Sequence, residues 1–125
     1  MPLARIMPLS GNLNLNCLIH ESNNQTLTFW PAWTCIEGSR DPVKDAQHCV
    51  TKAGLSWANV HACATGQLGQ LLVNAAADAT EALSPAHQWV PWVTVNGAPL
   101  DDLNNVISIV CNHYQGPTKP AICNA

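Results

Sequence analysis

The pattern of apolar and polar positions predicts two short helices in the middle of the chain. Asp41 followed by Pro42 is a favourable helix start, because the carboxylate can cap the first turn and proline tolerates its first position. Gly54 is a favourable end for this helix. Ser56 predicts the start of a second helix, which runs through Cys63 and ends at the Thr-Gly pair that follows.

A longer apolar repeat predicts a third helix over residues 68–83. Its apolar residues recur with the 3.6-residue period of one helical face, and Pro85 would end it. We therefore expect one buried stripe, which consists of Leu68, Leu71, Leu72, Ala75, Ala79 and Leu83.

Residues 12–28 give no single prediction. Leu13, Leu15 and Cys17 alternate with polar residues as in a strand, whereas Cys17 and His20 also fit one face of a helix. Both alternatives stay open from the sequence.

The C-terminal third predicts a strand, a tight turn, a second strand and a helix. A short apolar strand over residues 92–95 reaches Asn96-Gly97, a strong signal for a type I′ hairpin turn because both central residues need positive φ. Asp101 or Asp102 can then cap a helix that runs to Tyr114. Its apolar face consists of Leu103, Val106, Ile107 and Val110, and Gly116-Pro117 ends it.

Composition narrows the classes of function. The length of 125 residues fits one domain, and only 10% of the residues are charged while 47% are hydrophobic. We expect that some surface meets a partner or more chain. A net charge of −3 with five Lys and Arg makes nucleic acid an unlikely ligand, and no apolar run approaches the ~18 residues that span a bilayer.

Six cysteines suggest an oxidising compartment, where an even number is typical of paired disulfides. The triplet Asn24-Gln25-Thr26 is a glycosylation sequon, although such triplets also arise by chance. The segment Met1–Ser10 is too short and too interrupted to be a signal peptide. Disulfides without a secretion signal lead us to expect that the natural protein has further sequence at its N-terminus.

Three motifs near the C-terminus carry a resemblance. Residues 85–97, PAHQWVPWVTVNG, are similar to the pattern PxHxxVPWVxVNG, and residues 110–116 and 120–123 are similar to VCxxYxG and PxxC. All three belong to the gamma-interferon-inducible lysosomal thiol reductase (GILT) family, which the chain resembles from about residue 12 to its end. The chain is similar to the C-terminal two-thirds of that family, and it lacks the family's catalytic CxxC and CQHG motifs.

The resemblance implies an α/β fold, namely a partial thioredoxin-like fold with a helical insertion and a C-terminal strand-hairpin-helix unit. We expect a single partial domain over 1–125. Its parts would be an irregular N-terminus over 1–11, a mainly helical insertion over 12–86, and a segment over 87–125 with a cis-proline loop, hairpin, helix and cysteine-containing tail.

The resemblance also implies a function. Family members reduce protein disulfides in an acidic lysosomal or endosomal compartment, without a cofactor, and a secreted location is also compatible. In that reading Pro91 is a cis proline and Val90 offers backbone groups to a substrate segment, while His87 is structural or at the surface. Without CxxC we expect no catalytic residue here and a fragment that is inactive alone. The alternative is a shortened, non-catalytic module that binds polypeptides through the Pro91 groove and self-associates through its sheet edge, with no nucleic-acid or membrane partner.

The cysteines keep two interpretations. Six cysteines allow 15 disulfide pairings; one candidate set joins Cys111 to Cys123 and Cys35 to Cys49, which leaves Cys17 for Cys63. The alternative is a metal site, since histidines lie beside cysteines at His48-Cys49, His61-x-Cys63 and Cys111-x-His113. These spacings do not match the paired ligands of zinc sites, so we predict no metal.

Overall fold

The computed structural model of the protein describes residues 7–125, and its side chains from Leu9 onwards. The chain divides into two compact units, one that ends at Ala79 and one that runs from Thr80 to Ala125. Six α-helices and a two-stranded antiparallel sheet are present in the described part, which is mostly helical and compatible with the mixed α/β class. Within residues 7–125 no helix has the length and apolar character needed to cross a membrane.

Five helices build the first unit, the last of which continues two residues past its boundary. They are α1 (Met7–Glu21), α2 (Thr26–Glu37), α3 (Pro42–Lys52), α4 (Trp57–Thr65) and α5 (Gln67–Glu81). Helix α1 packs mainly on α4, and α2 packs mainly on α3. The same two pairs are joined by disulfides, Cys17–Cys63 and Cys35–Cys49, so packing and covalent cross-links select the same neighbours.

The core of this unit is fully shielded from solvent. Leu18, Val50 and Val60 have no exposed surface, and Ile36 has 1%. Each comes from a different helix among the first four, so every one of these helices contributes to one cluster. Burial of such side chains stabilises a fold by roughly 1.5–3 kcal/mol each.

Local capping explains where α3 and α4 begin. The Asp41 carboxylate accepts a hydrogen bond from the Lys44 N–H at 3.1 Å, and the Ser56 hydroxyl accepts one from the Asn59 N–H at 3.2 Å. Each bond satisfies an N–H that has no partner inside its own helix. Both predicted helix starts are confirmed, and Gly54 follows α3 with a positive φ of 79°.

The N-terminal region is helical where two alternatives were open. Helix α1 covers residues 7–21, and it buries Leu15, Cys17 and Leu18 on one side. The strand alternative for residues 12–21 is therefore wrong. Part of the segment that we expect to be irregular, residues 7–11, lies inside α1, and residues 1–6 lie outside the described residues.

Most of the predicted buried stripe of α5 is exposed, although Leu72 is partly buried and packs against the core cluster. Leu71 is 56% exposed and Leu68 is 38% exposed, and Gly69 is the helix's buried residue. A Cβ added at Gly69 would meet the Cys63 carbonyl oxygen at 2.5 Å, so the start of α5 approaches the end of α4 closely because this position is a glycine. The helix ends at Glu81, two residues before the predicted end.

The second unit contains the predicted hairpin. Strand β1 (Thr94–Val95) pairs antiparallel with β2 (Ala98–Pro99), and Val95 lies opposite Ala98. Asn96 and Gly97 have φ values of 49° and 82°, as the type I′ turn requires. The strands are shorter than predicted, although the Leu100 N–H still donates to the Val93 carbonyl at 2.9 Å.

The last helix is present, but its predicted apolar face is not buried. A 3₁₀ turn (Leu103–Asn105) precedes α6 (Val106–His113), and the Asp102 carboxylate accepts from the Asn104 N–H at 2.9 Å. Ile107 is 50% exposed and Val110 is 46% exposed. The sequence therefore predicts which face is apolar, whereas its burial needs a covering surface that the described residues do not supply.

Candidate substrate-binding loop

The loop between α5 and the hairpin carries the strongest sequence motif. Residues 84–92 form neither helix nor strand, and they lie almost entirely at the surface. Two peptide bonds in this stretch are cis, Ser84–Pro85 and Val90–Pro91. The second is the form that the family resemblance implies for Pro91.

Two tryptophans flank the Val90–Pro91 pair, and their rings contact each other edge to face. The rings of Trp89 and Trp92 lie 4.8 Å apart between centroids, with an interplanar angle of 66°, which is a favourable edge-to-face arrangement. Trp89 is 49% exposed. The Trp92 Nε1 atom is buried and has no hydrogen-bond acceptor among residues 9–125. The two rings therefore contact each other across the exposed Val90–Pro91 segment of the loop.

Val90 offers the backbone that the resemblance assigns to substrate binding. Its residue surface is 84% exposed. Within residues 7–125 neither its N–H nor its carbonyl takes part in a hydrogen bond, whereas the ladder begins only at Val93. An exposed, unpaired segment beside a sheet edge can pair with an extended polypeptide.

The other two predicted surface residues are His87, within the loop, and Asn24, in the first unit. His87 is exposed and makes no hydrogen bond with the described residues. Asn24 is exposed in the turn between α1 and α2, in the first unit.

All six cysteines lie within the described residues, and all are joined in disulfides. Cys17–Cys63, Cys35–Cys49 and Cys111–Cys123 have Cα separations of 5.8, 5.5 and 5.4 Å, so the prediction of disulfide bonds is confirmed. This is the candidate set among the 15 possible pairings. No thiol in residues 7–125 is therefore free to attack a disulfide.

The three histidine–cysteine pairs that prompted the metal alternative have their sulfur atoms committed to these disulfides. The residues from 7 to 125 contain no group of three or more histidine, cysteine or carboxylate side chains that could hold a metal ion.

A second feature of this unit was not identified from the sequence. An apolar cavity of about 190 Å³ lies between α6 and the tail beside the Cys111–Cys123 disulfide, and Val110, Tyr114 and Ile122 line it. Ile122 belongs to a tail with no periodic pattern, in a 3₁₀ turn over Ala121–Asn124, so its proximity depends on the disulfide.

Comparison with known proteins identifies relatives over most of the chain. No protein-family model matches it. It is 37% identical to the goldfish (Carassius auratus) gamma-interferon-inducible lysosomal thiol reductase over 120 residues, which cover 90% of the chain and 46% of that protein. It is 42% identical to the mouse (Mus musculus) protein of the same name over 93 residues, which cover 73% of the chain and 38% of that protein.

A plant protein extends the similarity. The chain is 32% identical to an Arabidopsis thaliana gamma-interferon-responsive lysosomal thiol protein over 133 aligned residues, with 94% of the chain and 57% of that protein covered. The chain thus spans about half the length of the curated relatives it matches. These similarities cover both units and agree with the motifs of residues 85–123, so the chain belongs to the gamma-interferon-inducible lysosomal thiol reductase family.

Proposed function

We propose that this chain supplies the substrate-binding half of a GILT-type thiol-disulfide oxidoreductase that acts on disulfide-containing proteins. The observation that carries the proposal is the exposed, unpaired backbone of Val90 in a chain of this family. A substrate segment would add as a strand beside Val90, and the adjoining Trp89 ring would contact its side chains. The segment's disulfide would then be held for attack by a cysteine pair outside this sequence.

Residues 1–125 alone would bind substrate without reducing it. Disulfide reduction needs an attacking thiolate and a second cysteine that resolves the mixed disulfide. No two of the six cysteines are separated by two residues, and each already has a disulfide partner. The chain therefore lacks the reactive groups while it keeps the surface that they would serve.

A thioredoxin-like arrangement and an acidic lysosomal, endosomal or secreted location belong to the same proposal. A two-stranded hairpin is marginally stable alone, and further strands would give it a sheet. Such a sheet would also give α6 a surface on which to bury Ile107 and Val110. The three disulfides fit an oxidising or lysosomal location better than a reducing one. The division into a helical insertion over 12–86 and a substrate-facing segment over 87–125 remains part of the proposal.

The test measures binding and reduction separately on the purified chain. We expect an unfolded, alkylated polypeptide to change the fluorescence of Trp89 and Trp92 on binding, because both rings lie beside Val90. With a disulfide-containing protein and a dithiol donor at acid pH, we expect no turnover above that of the donor alone.

A matched pair of variants tests the backbone N–H of Val90 separately from its side chain. Val90→Pro removes the backbone N–H and should abolish binding, whereas Val90→Ala keeps it and should bind as the parent does. Equal binding by both variants would contradict the proposed strand pairing. Turnover that survives individual Cys→Ser changes at all but one position would contradict the claim that the chain is inactive, because it would reveal a mechanism that uses one cysteine.

The second candidate is a shortened, non-catalytic module that binds polypeptides and self-associates. The exposed apolar residues of α5 and α6 favour it, because such surfaces commonly mark interaction sites. The nucleotide sequence upstream of the Met1 codon distinguishes the reductase from the non-catalytic module. An in-frame CxxC supports the reductase, and an in-frame stop codon supports the module.

A further inference from the structure

We propose that Asn24 carries an N-linked glycan and that this glycan covers Leu27. The triplet Asn24-Gln25-Thr26 is the one place in the 125 residues where asparagine is followed two positions later by serine or threonine. Because such triplets arise by chance, the sequence alone does not carry the inference. The geometry of the turn and the surface beside it do.

The turn leaves the asparagine and threonine side chains of the triplet free of hydrogen bonds within the described residues. The backbone is fixed, since the N–H groups of Asn23 and Asn24 donate to the carbonyls of His20 and Ile19, each at 3.0 Å. The side chains of Asn24 and Thr26 are exposed, and neither forms a hydrogen bond within the described residues. A sugar on the Asn24 Nδ2 atom would therefore extend into solvent without breaking any contact.

The backbone conformation also suits asparagine. Asn24 has a φ of 60°, in the left-handed region that asparagine tolerates better than most residues. Helix α2 begins two residues later without a side-chain cap from Gln25. The triplet thus crosses from a tight turn into the first residue of a helix, at the edge of the first unit.

The surface that follows the triplet is apolar. Leu27, three residues after Asn24, is 92% exposed, and Trp30, one turn further along α2, is 51% exposed. Neither belongs to the helical core cluster. A glycan is bulky and strongly hydrated, so one attached at Asn24 would shield Leu27 from other chains.

The modification is a transfer of an oligosaccharide from a lipid-linked pyrophosphate donor. The Asn24 Nδ2 atom forms a bond to the anomeric carbon of the first sugar and loses one proton. The bond between that carbon and the pyrophosphate oxygen breaks, and the lipid pyrophosphate leaves. The reaction takes place in the compartment where disulfides form, which agrees with the three disulfides of the chain.

The experiment expresses the full 125-residue chain behind a secretion leader in a eukaryotic host. We expect a slower gel band that peptide N-glycosidase converts to the faster one, with aspartate left at position 24 in the peptide map. Asn24→Gln and Thr26→Ala should lose the slower band, whereas Thr26→Ser keeps the acceptor triplet and should retain it. Non-reducing peptide maps that show all three disulfides establish that each variant has folded.

Two outcomes would overturn the proposal. A secreted, disulfide-bonded chain with unmodified asparagine at position 24 excludes the glycan. For the covering of Leu27, enzymatic removal of the glycan from the folded protein should raise the fluorescence of a bound hydrophobic dye, and a Leu27→Ser variant should lose that rise. An equal rise in parent and variant excludes the covering while it leaves the glycan intact.

Discussion

The two units of this protein use their apolar residues in different ways. In the first, four helices bury Leu18, Ile36, Val50 and Val60 almost completely. In the second, Leu100 and Cys111 are the buried residues, and each keeps 7–8% of its surface exposed. The first unit has the core of an independent helical domain, whereas the second shows apolar surface suited to further contacts. The comparison teaches that the motif proposed to bind substrate lies in the unit with fewer buried residues.

The largest expected effect comes from the disulfide that joins α1 to α4. Cys17 and Cys63 are 46 residues apart, so replacing both by alanine should lower the free energy of unfolding by about 4 kcal/mol through loop entropy. Replacing Cys111 and Cys123, 12 residues apart, should cost about 3 kcal/mol, and this loss should be confined to the second unit. Urea unfolding combined with hydrogen exchange of α1 and α6 amides measures both. Loss of protection in α1 after the second replacement would contradict the independence of the two cross-links.

The next largest difference in stability between the two units should come from shortening one apolar side chain in each. Leu18→Ala removes a side chain with no exposed surface and should destabilise the first unit by about 2–5 kcal/mol. Ile107→Ala is the matched control in the second unit, where half of the side chain is already in solvent, and it should cost under about 1 kcal/mol. The urea midpoints of the two variants make the test. Similar midpoints would mean that the exposed face of α6 contributes to folding as a core does.

Removal of a helix cap should likewise destabilise the first unit more than the second. Asp41→Ala should cost about 1 kcal/mol, because Asp41 caps an 11-residue helix that belongs to the core. Asp102→Ala should cost about 0.5 kcal/mol or less, since Asp102 caps a three-residue 3₁₀ turn. Thermal unfolding measures both changes. Asp41→Asn, which retains a capping oxygen, serves as the control and should unfold close to the parent.

The smallest expected effect on stability concerns the apolar face of α6. Val110→Gln should change the free energy of unfolding by no more than about 0.5 kcal/mol, because Val110 is 46% exposed. The same substitution should lower the binding of a hydrophobic dye or a polypeptide partner. A loss of stability above about 1 kcal/mol, with dye binding unchanged, would indicate that this face is an internal surface of the second unit.

Local chemistry made much of the fold predictable. The caps at Asp41 and Ser56 and the turn at Asn96-Gly97 act within three or four residues, so the sequence contains all of their partners. The period of α5 and α6 likewise predicted which residues share a face. Periodicity states which side of a helix is apolar, however, and it does not state whether another element covers that side.

Helix α2, by contrast, could not be predicted from its local sequence. The sequence did not predict it, because Pro31 lies inside the helix and removes one backbone donor. Tertiary packing compensates, since Ala32 and Ile36, one turn apart, are buried in the core and Cys35 is bonded to Cys49. Nothing local to the sequence of α2 reveals these partners. For the candidate site, the motif located Val90 and Pro91, but the unpaired Trp92 Nε1 and the cavity beside Ile122 depend on the folded arrangement.

The placement of the cross-links has a consequence for proteolysis. Two disulfides lie entirely before Ala79 and the third entirely after Thr80, so within the described part of the chain no disulfide spans the boundary between the units. A protease that cuts once in the exposed stretch over residues 84–91 would yield two pieces that run separately on a gel without any reducing agent. Each piece would keep its own disulfides intact. The helical piece would have two disulfides and the C-terminal piece would have one. Among residues 7–125, the backbone alone links the candidate binding loop covalently to the helical unit.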